Sequence, residues 1–485
     1  MHSRFQLPLT AAVHLISCMR LSALAQPVTP TPLTAPVPDA DATRAPTDLT
    51  LVGSAVQAAR TFEVGDGVKV STRVLPNGLN VIIAKNPRAP LVSVYHWVKA
   101  GSLHEKPGTT GMAHLFEHMM FRPLAPGKPG FFELTQKLGA QANANTRFES
   151  TLYTSTVTRR NLDALLEAEA DRFRNLKVTD ELLSVERKAV WSEYSTKFDA
   201  NPSFDVWYEL YKRAYPGHPF GWMIIGLRED LEKIKAGDCN DFFQKNYRPN
   251  NVGLVISGDV DEAATFATVE RLYGSWEKGT PTPLPPAFAA KTKRVRATSK
   301  LPAGGKQILA GWRLPYFTSK NALTFEFVNH VLFDSGNDLA GRRFVDKEKV
   351  ASSIGSFSFD YGNGMLSGYV SALPRVKDDV IIKQFDALVG DLTALTDVQI
   401  KAYAKEFQVG MAEGLERNEA IASGLAVAWG KYGDETLLST WSRTPTSFSR
   451  ADLKAFARAY LRKENFVSIS TPTGEATIPA KGAVQ

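Results

Sequence analysis

Apolar and polar positions alternate from the region of Phe62 onward, where ordered structure is expected to begin. Val74 to Ala84 reads as two strands around Pro76-Asn77-Gly78, a hairpin signal. Leu91 to Val98 is a further apolar strand. Met112, Leu115, Phe116, Met119, Met120 and Phe121 follow with helical spacing and make a largely buried helix. A second helix is predicted over Asp180 to Lys197, with a mixed apolar stripe from Leu182, Leu183, Val185, Ala189, Val190 and Tyr194. Phe243 and Tyr247 precede a strand from Val252 to Ser257. Residues 279–290 are dense in proline, which removes donors and extends the backbone, as in an interdomain linker.

The segments on either side of that linker are similar in length, and the pattern repeats. Glu117-His118-Met119-Met120-Phe121 has a counterpart in Asn329-His330-Val331-Leu332-Phe333, with an offset of 212 residues from His118 to His330. Phe243, Tyr247 and the strand after them are echoed by Phe456, Tyr460 and Phe466 to Ser470, with an offset of 213 residues between the tyrosines. Two agreeing offsets predict an α+β protein made of two homologous α/β domains of about 200 residues each, with antiparallel-rich sheets covered by helices. The expected division is 62–278 for the first domain, 291–475 for the second and 476–485 for a tail.

Composition narrows this without redirecting it. The chain has 485 residues, 44% of them apolar, and a formal charge of +7 with no dense basic run, so nucleic-acid binding is not implied. Its two cysteines, Cys18 and Cys239, exclude a disulfide framework and a cysteine-based zinc site. His2 and Arg4, an apolar run from Leu7 to Met19 and Ala23-Leu24-Ala25 predict an export signal over 1–25 and a periplasmic location. Leu15-Ile16-Ser17-Cys18 also reads as a lipobox that would place a lipid anchor on Cys18, and a mitochondrial presequence is a weaker rival. Residues 26–61 are rich in Pro, Thr and Ala and read as a flexible segment. No later apolar run is long enough for a membrane span.

The candidate chemistry lies in His114-Leu115-Phe116-Glu117-His118. Imidazoles four residues apart share a helix face, and Glu117 lies three residues after the first, on that face. This inverted His-x-x-Glu-His arrangement can hold a metal ion and activate a water beside it, so a zinc hydrolase is the first hypothesis. In the second copy Glu326 replaces His114 and Asn329 replaces Glu117, so one zinc per chain is expected and His330 is a core or interface residue. A third ligand is sought on the helix 180–197. Glu186 and Glu193 lie two turns apart on one face, and from helix geometry Glu181, Glu186 or Glu193 could serve.

Several segments then point the same way: Gly101-Ser102-x-x-Glu105 leading to the His114–His118 motif, Glu186-Arg187-Lys188-Ala189-Val190-Trp191-Ser192-Glu193, and Asn143-Ala144-x-Thr146-x-x-Glu149-x-Thr151-x-Tyr153. His218-Pro219-Phe220-Gly221 and Tyr247-Arg248-Pro249-Asn250-Asn251 join them. With these the chain resembles the pitrilysin, insulin-degrading enzyme and mitochondrial processing peptidase family of inverted zinc peptidases over about residues 65 to 475. The resemblance implies that Glu193 is the third zinc ligand, that Glu186 supports catalysis from the outer shell, and that Asn143, with Ala144, contacts the substrate backbone. It implies a metalloendopeptidase in which Glu117 is the general base. Single-chain members have four such domains closing as two half-shells, so this chain would be one half of a clam-shell chamber.

One family feature is missing. The best alignment puts Val345 and Ser352 where the family's second domain carries an Arg and a Tyr seven residues apart; Arg342, Arg343 and Tyr361 are nearby but off register. A homologous partner subunit supplying that pair is therefore expected, with a heterodimer favoured over a homodimer and unfolded peptides as substrates. Rival expectations are a non-catalytic, chaperone-like subunit on the same fold and a processing peptidase for one precursor.

Overall fold

The computed structural model describes residues 59–125, 127–196, 202–286, 288, 295–298, 305–314, 319–357, 364–443 and 448–471. The expected signal over 1–25, Cys18, the segment up to residue 58, Tyr361 and the tail 476–485 lie outside the described residues.

Seven strands form the first sheet: β1 (Arg60–Val64), β2 (Val68–Val74), β3 (Asn80–Lys85), β4 (Leu91–Val98), β5 (Gln141–Thr146), β6 (Thr151–Thr158) and β7 (Val252–Gly258). Their order is β1-β2-β3-β7-β4-β6-β5. The expected hairpin is β2–β3, closed by Gly78 at φ +88° and by Asn77, whose amide donates to the Tyr273 carbonyl at 2.7 Å. The second sheet holds β8 (Val295–Thr298), β9 (Gln307–Leu314), β10 (Ala351–Ser356), β11 (Gly364–Ala372) and β12 (Phe466–Ser470), in the order β10-β11-β9-β12-β8. Read from the other edge, this is the order β3-β7-β4-β6-β5 again. The parallel pair recurs in the same place, β3 with β7 and β8 with β12, and every other pairing is antiparallel. The duplication read from two short echoes is thus present as a repeated topology.

β4 and β7 are apolar almost throughout because both faces of the first sheet are buried. Val92, Val94, Leu254 and Ile256 join the core under the motif helix. Tyr95, Trp97 and Val255 face the other way and pack against Ile421, Ala422, Leu425 and Ala426 of the helix Asn418–Tyr432. That helix comes from the second half of the chain, and it sits so close that a Cβ on Gly253 would meet the Trp429 ring at 2.4 Å. Asn418 pins its start by donating to the Leu91 carbonyl at 3.0 Å. The exchange is mutual. The helix Pro202–Ala214 from the first half packs against β12 and β9, and Leu309, Val467 and Ile469 of the second sheet share a core with Leu210 and Tyr211.

No helix among the described residues is long and apolar enough to cross a membrane.

The helix exchange makes a specific demand at Gly253. Gly253→Val should lower the free energy of unfolding by about 1–3 kcal/mol by overpacking against Trp429. Gly237→Ala, which meets nothing within 4 Å, should be neutral or slightly stabilising. Urea unfolding midpoints for the two variants test this; a Gly253→Val midpoint equal to wild type would mean that the helix does not sit on the sheet as described.

Candidate active site

The motif lies on the helix Met112–Met119, which follows Gly111 at φ +86°. A Cβ on Gly111 would meet the Ile225 carbonyl at 2.4 Å, so the turn needs glycine twice over. Glycine brings no capping side chain, and Glu105 takes that role from six residues upstream. Its two carboxylate oxygens accept from the Gly111 N–H at 3.0 Å and the Ala113 N–H at 2.9 Å. Burial pushes the Glu105 carboxyl up to about 8, against the pull of those two backbone donors and of Trp222. At the other end Arg172 donates to the Met120 carbonyl at 3.3 Å. Its guanidinium lies 3.6 Å from the centre of the Phe131 ring and is paired with Glu169 at 2.7 Å. Ser155 donates to the other Glu169 oxygen at 2.8 Å, so the buried charges are matched.

Three donor atoms converge above this helix. His114 Nε2 and His118 Nε2 stand 3.6 and 3.4 Å from the same oxygen, Oε2 of Glu193 on the helix Asp180–Tyr194. The ligating atoms of His114, His118 and Glu193 all lie within 4.8 Å of one another. Two ligands bound tetrahedrally at zinc distances of about 2.0–2.1 Å are about 3.4 Å apart, so the spacing fits zinc. The charge balance fits too. Burial pulls the His118 imidazole down, but hydrogen bonds to Glu186 and Glu193 and the charge of Glu117 outweigh it and push it up to about 9. The cluster is a place that stabilises a cation.

The carboxylates left open by helix spacing now separate. Glu193 faces both Nε2 atoms. Glu186 is buried behind His118, with Oε2 3.4 Å from Nδ1 and Oε1 paired with Arg122, so it sets the ring and frees Nε2. Glu181 is exposed near the start of the helix. Glu117 is half-buried beside the cluster, and its Oε2 accepts from Thr146 Oγ1 at 2.5 Å. Burial holds the Glu117 carboxyl above the usual range, while Thr146 and His118 pull it down. Thr146 ends β5, whose outer side pairs with no other strand among the described residues. Asn143 and Ala144 lie on this edge strand and outside the three-residue cluster; the Asn143 side chain is exposed and accepts from the Ala144 N–H at 2.9 Å.

Sequence reasoning gave no role to Arg122, Thr146 or Arg172 and did not identify Glu105 as a cap. Arg122 lies one turn after His118 on the same face, a spacing that could have singled it out; nothing local marks Arg172. His218 and Tyr247 make internal contacts. Both His218 ring nitrogens are used, with the Pro286 carbonyl at 3.1 Å and the Phe220 N–H at 3.2 Å. Tyr247 shares a 2.7 Å hydroxyl contact with Tyr153 in the core.

The second half offers no comparable cluster among the described residues. Asn329 donates to Asp334, and His330 is half-buried against Phe407. Arg342 donates to Tyr403 at 2.8 Å and Arg343 clasps Asp391, so both arginines are engaged within that half. Val345 is half-buried, and Ser352 is an exposed residue bonded to the Ser371 carbonyl.

A family model described as insulinase, peptidase family M16, matches residues 80–226, and one described as peptidase M16 inactive domain matches residues 233–399. The zinc protease PqqE of Helicobacter pylori is 24% identical over 397 residues, spanning 80% of this chain and 89% of that protein. The mitochondrial-processing peptidase subunit beta of Lentinula edodes is 25% identical over 432 residues, spanning 84% and 90%. The crystal structure of a protease from Helicobacter pylori is similar in fold, with a TM-score of 0.76 at 21% identity, covering 83% of this chain and 99% of that one.

The way the motif helix is held can be tested directly. Glu105→Ala leaves two buried N–H groups without their acceptor and should cost about 1–3 kcal/mol in urea unfolding; an unchanged midpoint would remove Glu105 as the cap. Acid should also act on the fold through two histidines. Burial depresses His96 from 6.5 to about 4, against the charge of Glu169, and burial likewise depresses His104 to about 4. The unfolded chain therefore takes up these protons first. The contribution of these two histidines should be level above pH 6.5 and fall as the pH drops from 6.5 towards 4. His104→Gln should shallow that slope; an identical slope would exclude His104 as a contributor.

Proposed function

The chain belongs to the insulinase family of peptidases, family M16, and on that premise we propose that it is a zinc metalloendopeptidase acting on unfolded peptides. The observation that carries this reading is the convergence of His114 Nε2, His118 Nε2 and Glu193 Oε2 at 3.4–3.6 Å, with Glu117 alongside. In this reading His114, His118 and Glu193 hold one zinc ion, within a first domain at 62–278 that is followed by a non-metal domain at 291–475.

A zinc ion held there supplies Lewis acidity towards the scissile carbonyl and lowers the pKa of a nearby water. Glu117 accepts the water's proton and returns it to the leaving amine. Burial raises its carboxyl, which makes it a stronger proton acceptor than an ordinary carboxylate. Thr146 holds one Glu117 oxygen at 2.5 Å. Glu186 keeps the His118 ring turned with Nε2 towards the cluster and Nδ1 towards itself. The unpaired edge of β5 supports a substrate laid down as an added strand, where backbone pairing gives affinity with loose sequence preference and Asn143 meets the peptide backbone.

Export to the periplasm and a heterodimeric partner belong to the same proposal. The engagement of Arg342 and Arg343 within their own half supports a second subunit as the source of further substrate contacts. The similarity to a mitochondrial-processing peptidase subunit favours one alternative, a processing enzyme for a single precursor. Digestion of a peptide library separates the two: many cleavage sites indicate scavenging, and one indicates maturation.

Metal analysis combined with peptide cleavage tests the main reading. Wild type should bind one zinc per chain. Glu117→Gln should keep the metal and lose about 10²–10⁴-fold in kcat. Glu186→Gln should weaken zinc binding by about 10–100-fold. Zinc-loaded protein that cleaves nothing, alone or with a co-purifying homologue, would sink the proposal.

A further inference from the structure

Lys431 lies near the end of the exchanged helix Asn418–Tyr432, and its ammonium stands 3.4 Å from Glu149 Oε1 in the turn between β5 and β6. The two side chains are 3% and 8% exposed, so the pair is buried between the halves of the chain. Nothing in the peptidase reading so far uses it.

We propose that Lys431 is a positioning residue for peptide cleavage: its ion pair with Glu149 fixes the β5–β6 turn, and through Thr146 that turn fixes the Glu117 carboxylate. The proposal rests on the peptidase reading and gives the second half a part in it.

Both ends of the pair are anchored. The Trp429 ring lies on Gly253 of β7 and has the Lys99 ammonium 4.0 Å from its centre. Gly430 lies against the Trp97 ring of β4 too closely for a Cβ to fit. Lys431 follows directly and has little freedom to pursue Glu149 if the turn shifts. On the turn, the Ser102 N–H donates to the Arg147 carbonyl at 3.1 Å and the Leu103 N–H to the Phe148 carbonyl at 2.7 Å. Those bonds hold the first two residues of the turn, and Lys431 holds the third. Thr146 immediately precedes them, and its hydroxyl donates to Glu117 Oε2 at 2.5 Å. A buried pair is little screened by salt, and removing one partner leaves the other charge uncompensated. Misplacing a reacting group by about 1 Å can cost about 10²-fold in rate, so a small relaxation of the turn is readable in turnover. Substrate binding should change less, because β5 stays paired with β6 from Gln141 to Thr146 and the Asn143 end of the strand keeps its ladder.

Steady-state cleavage of one peptide by the zinc-loaded full chain, with any homologue that co-purifies, tests this. With rates expressed per bound zinc, Lys431→Met should lose about tenfold in kcat while KM changes by less than about twofold. Thr146→Val should also lose kcat, and adding Lys431→Met to it should cost little more, because both act on Glu117 by one route. A pair with a structural role alone would lower the yield of folded, zinc-bound protein and leave kcat per zinc unchanged. That outcome, or fully multiplicative losses in the double variant, would overturn the proposal. If Lys431→Met does not fold, Glu149→Gln is read in its place, alone and with Thr146→Val; it leaves Lys431 with Glu326, whose carboxyl burial raises and the Lys431 charge pulls back. Zinc-loaded wild type that cleaves nothing refutes the peptidase reading and this inference with it, whereas active wild type with an unchanged Lys431→Met refutes this inference alone.

Discussion

The geometry of the candidate site depends on one short helix being held at both ends by buried hydrogen bonds. Eight residues are too few for a helix to be stable by itself, and this one carries two histidines and a glutamate on its functional face. Glu105 supplies two acceptors at the amino end, and Arg172 supplies positive charge and a donor at the carboxyl end. The Arg172 charge opposes the partial negative charge of the helix terminus it meets. Arg172 can be buried because Glu169 neutralises it and aromatic rings stack on it. The helix therefore cannot slide or rotate without breaking charged hydrogen bonds in a low-dielectric core.

That hold fixes two of the three donor atoms of the cluster. His114 and His118 are fixed by one helix, whereas Glu193 arrives from another, and the spacing between them is set by packing rather than by local sequence. Glu186 and Arg122 act one layer further out, so His118 presents Nε2 to the cluster. Two carboxylates contact the His118 ring and a third, Glu117, lies close by, an arrangement that would repel itself without a cation. The same excess of negative charge that makes His118 hold a proton makes the site suited to a divalent metal.

Much of this was legible in the chain, for identifiable reasons. Helical spacing makes the pairing of His114 with His118 a local matter, and the apolar runs at β4 and β7 are strong because both faces of that sheet are covered. The duplication was visible in only two short echoes, yet the strand order repeats through five positions. Choosing Glu193 over Glu186 required either family resemblance or coordinates, since both lie on one helix face and differ only in what stands opposite. Arg172 was not legible at all. Its partner is a carbonyl 52 residues earlier, and no local pattern encodes a contact of that kind.

The helix exchange was equally invisible, and it changes how the two halves relate. Asn418–Tyr432 reads as an ordinary apolar helix of the second half, but its packing partner is the first sheet. Because that face holds Tyr95, Trp97 and Val255, the first sheet cannot be covered by its own half alone. The second half has no metal cluster among its described residues, yet it covers the face of the first sheet opposite the motif helix. Lys431, near the end of the exchanged helix, reaches Glu149 at 3.4 Å in the turn between β5 and β6. That turn follows directly on Thr146, the residue that holds Glu117. A repeat without a metal cluster is therefore not dispensable, because the hairpin that positions Glu117 is tied to it by a buried ion pair.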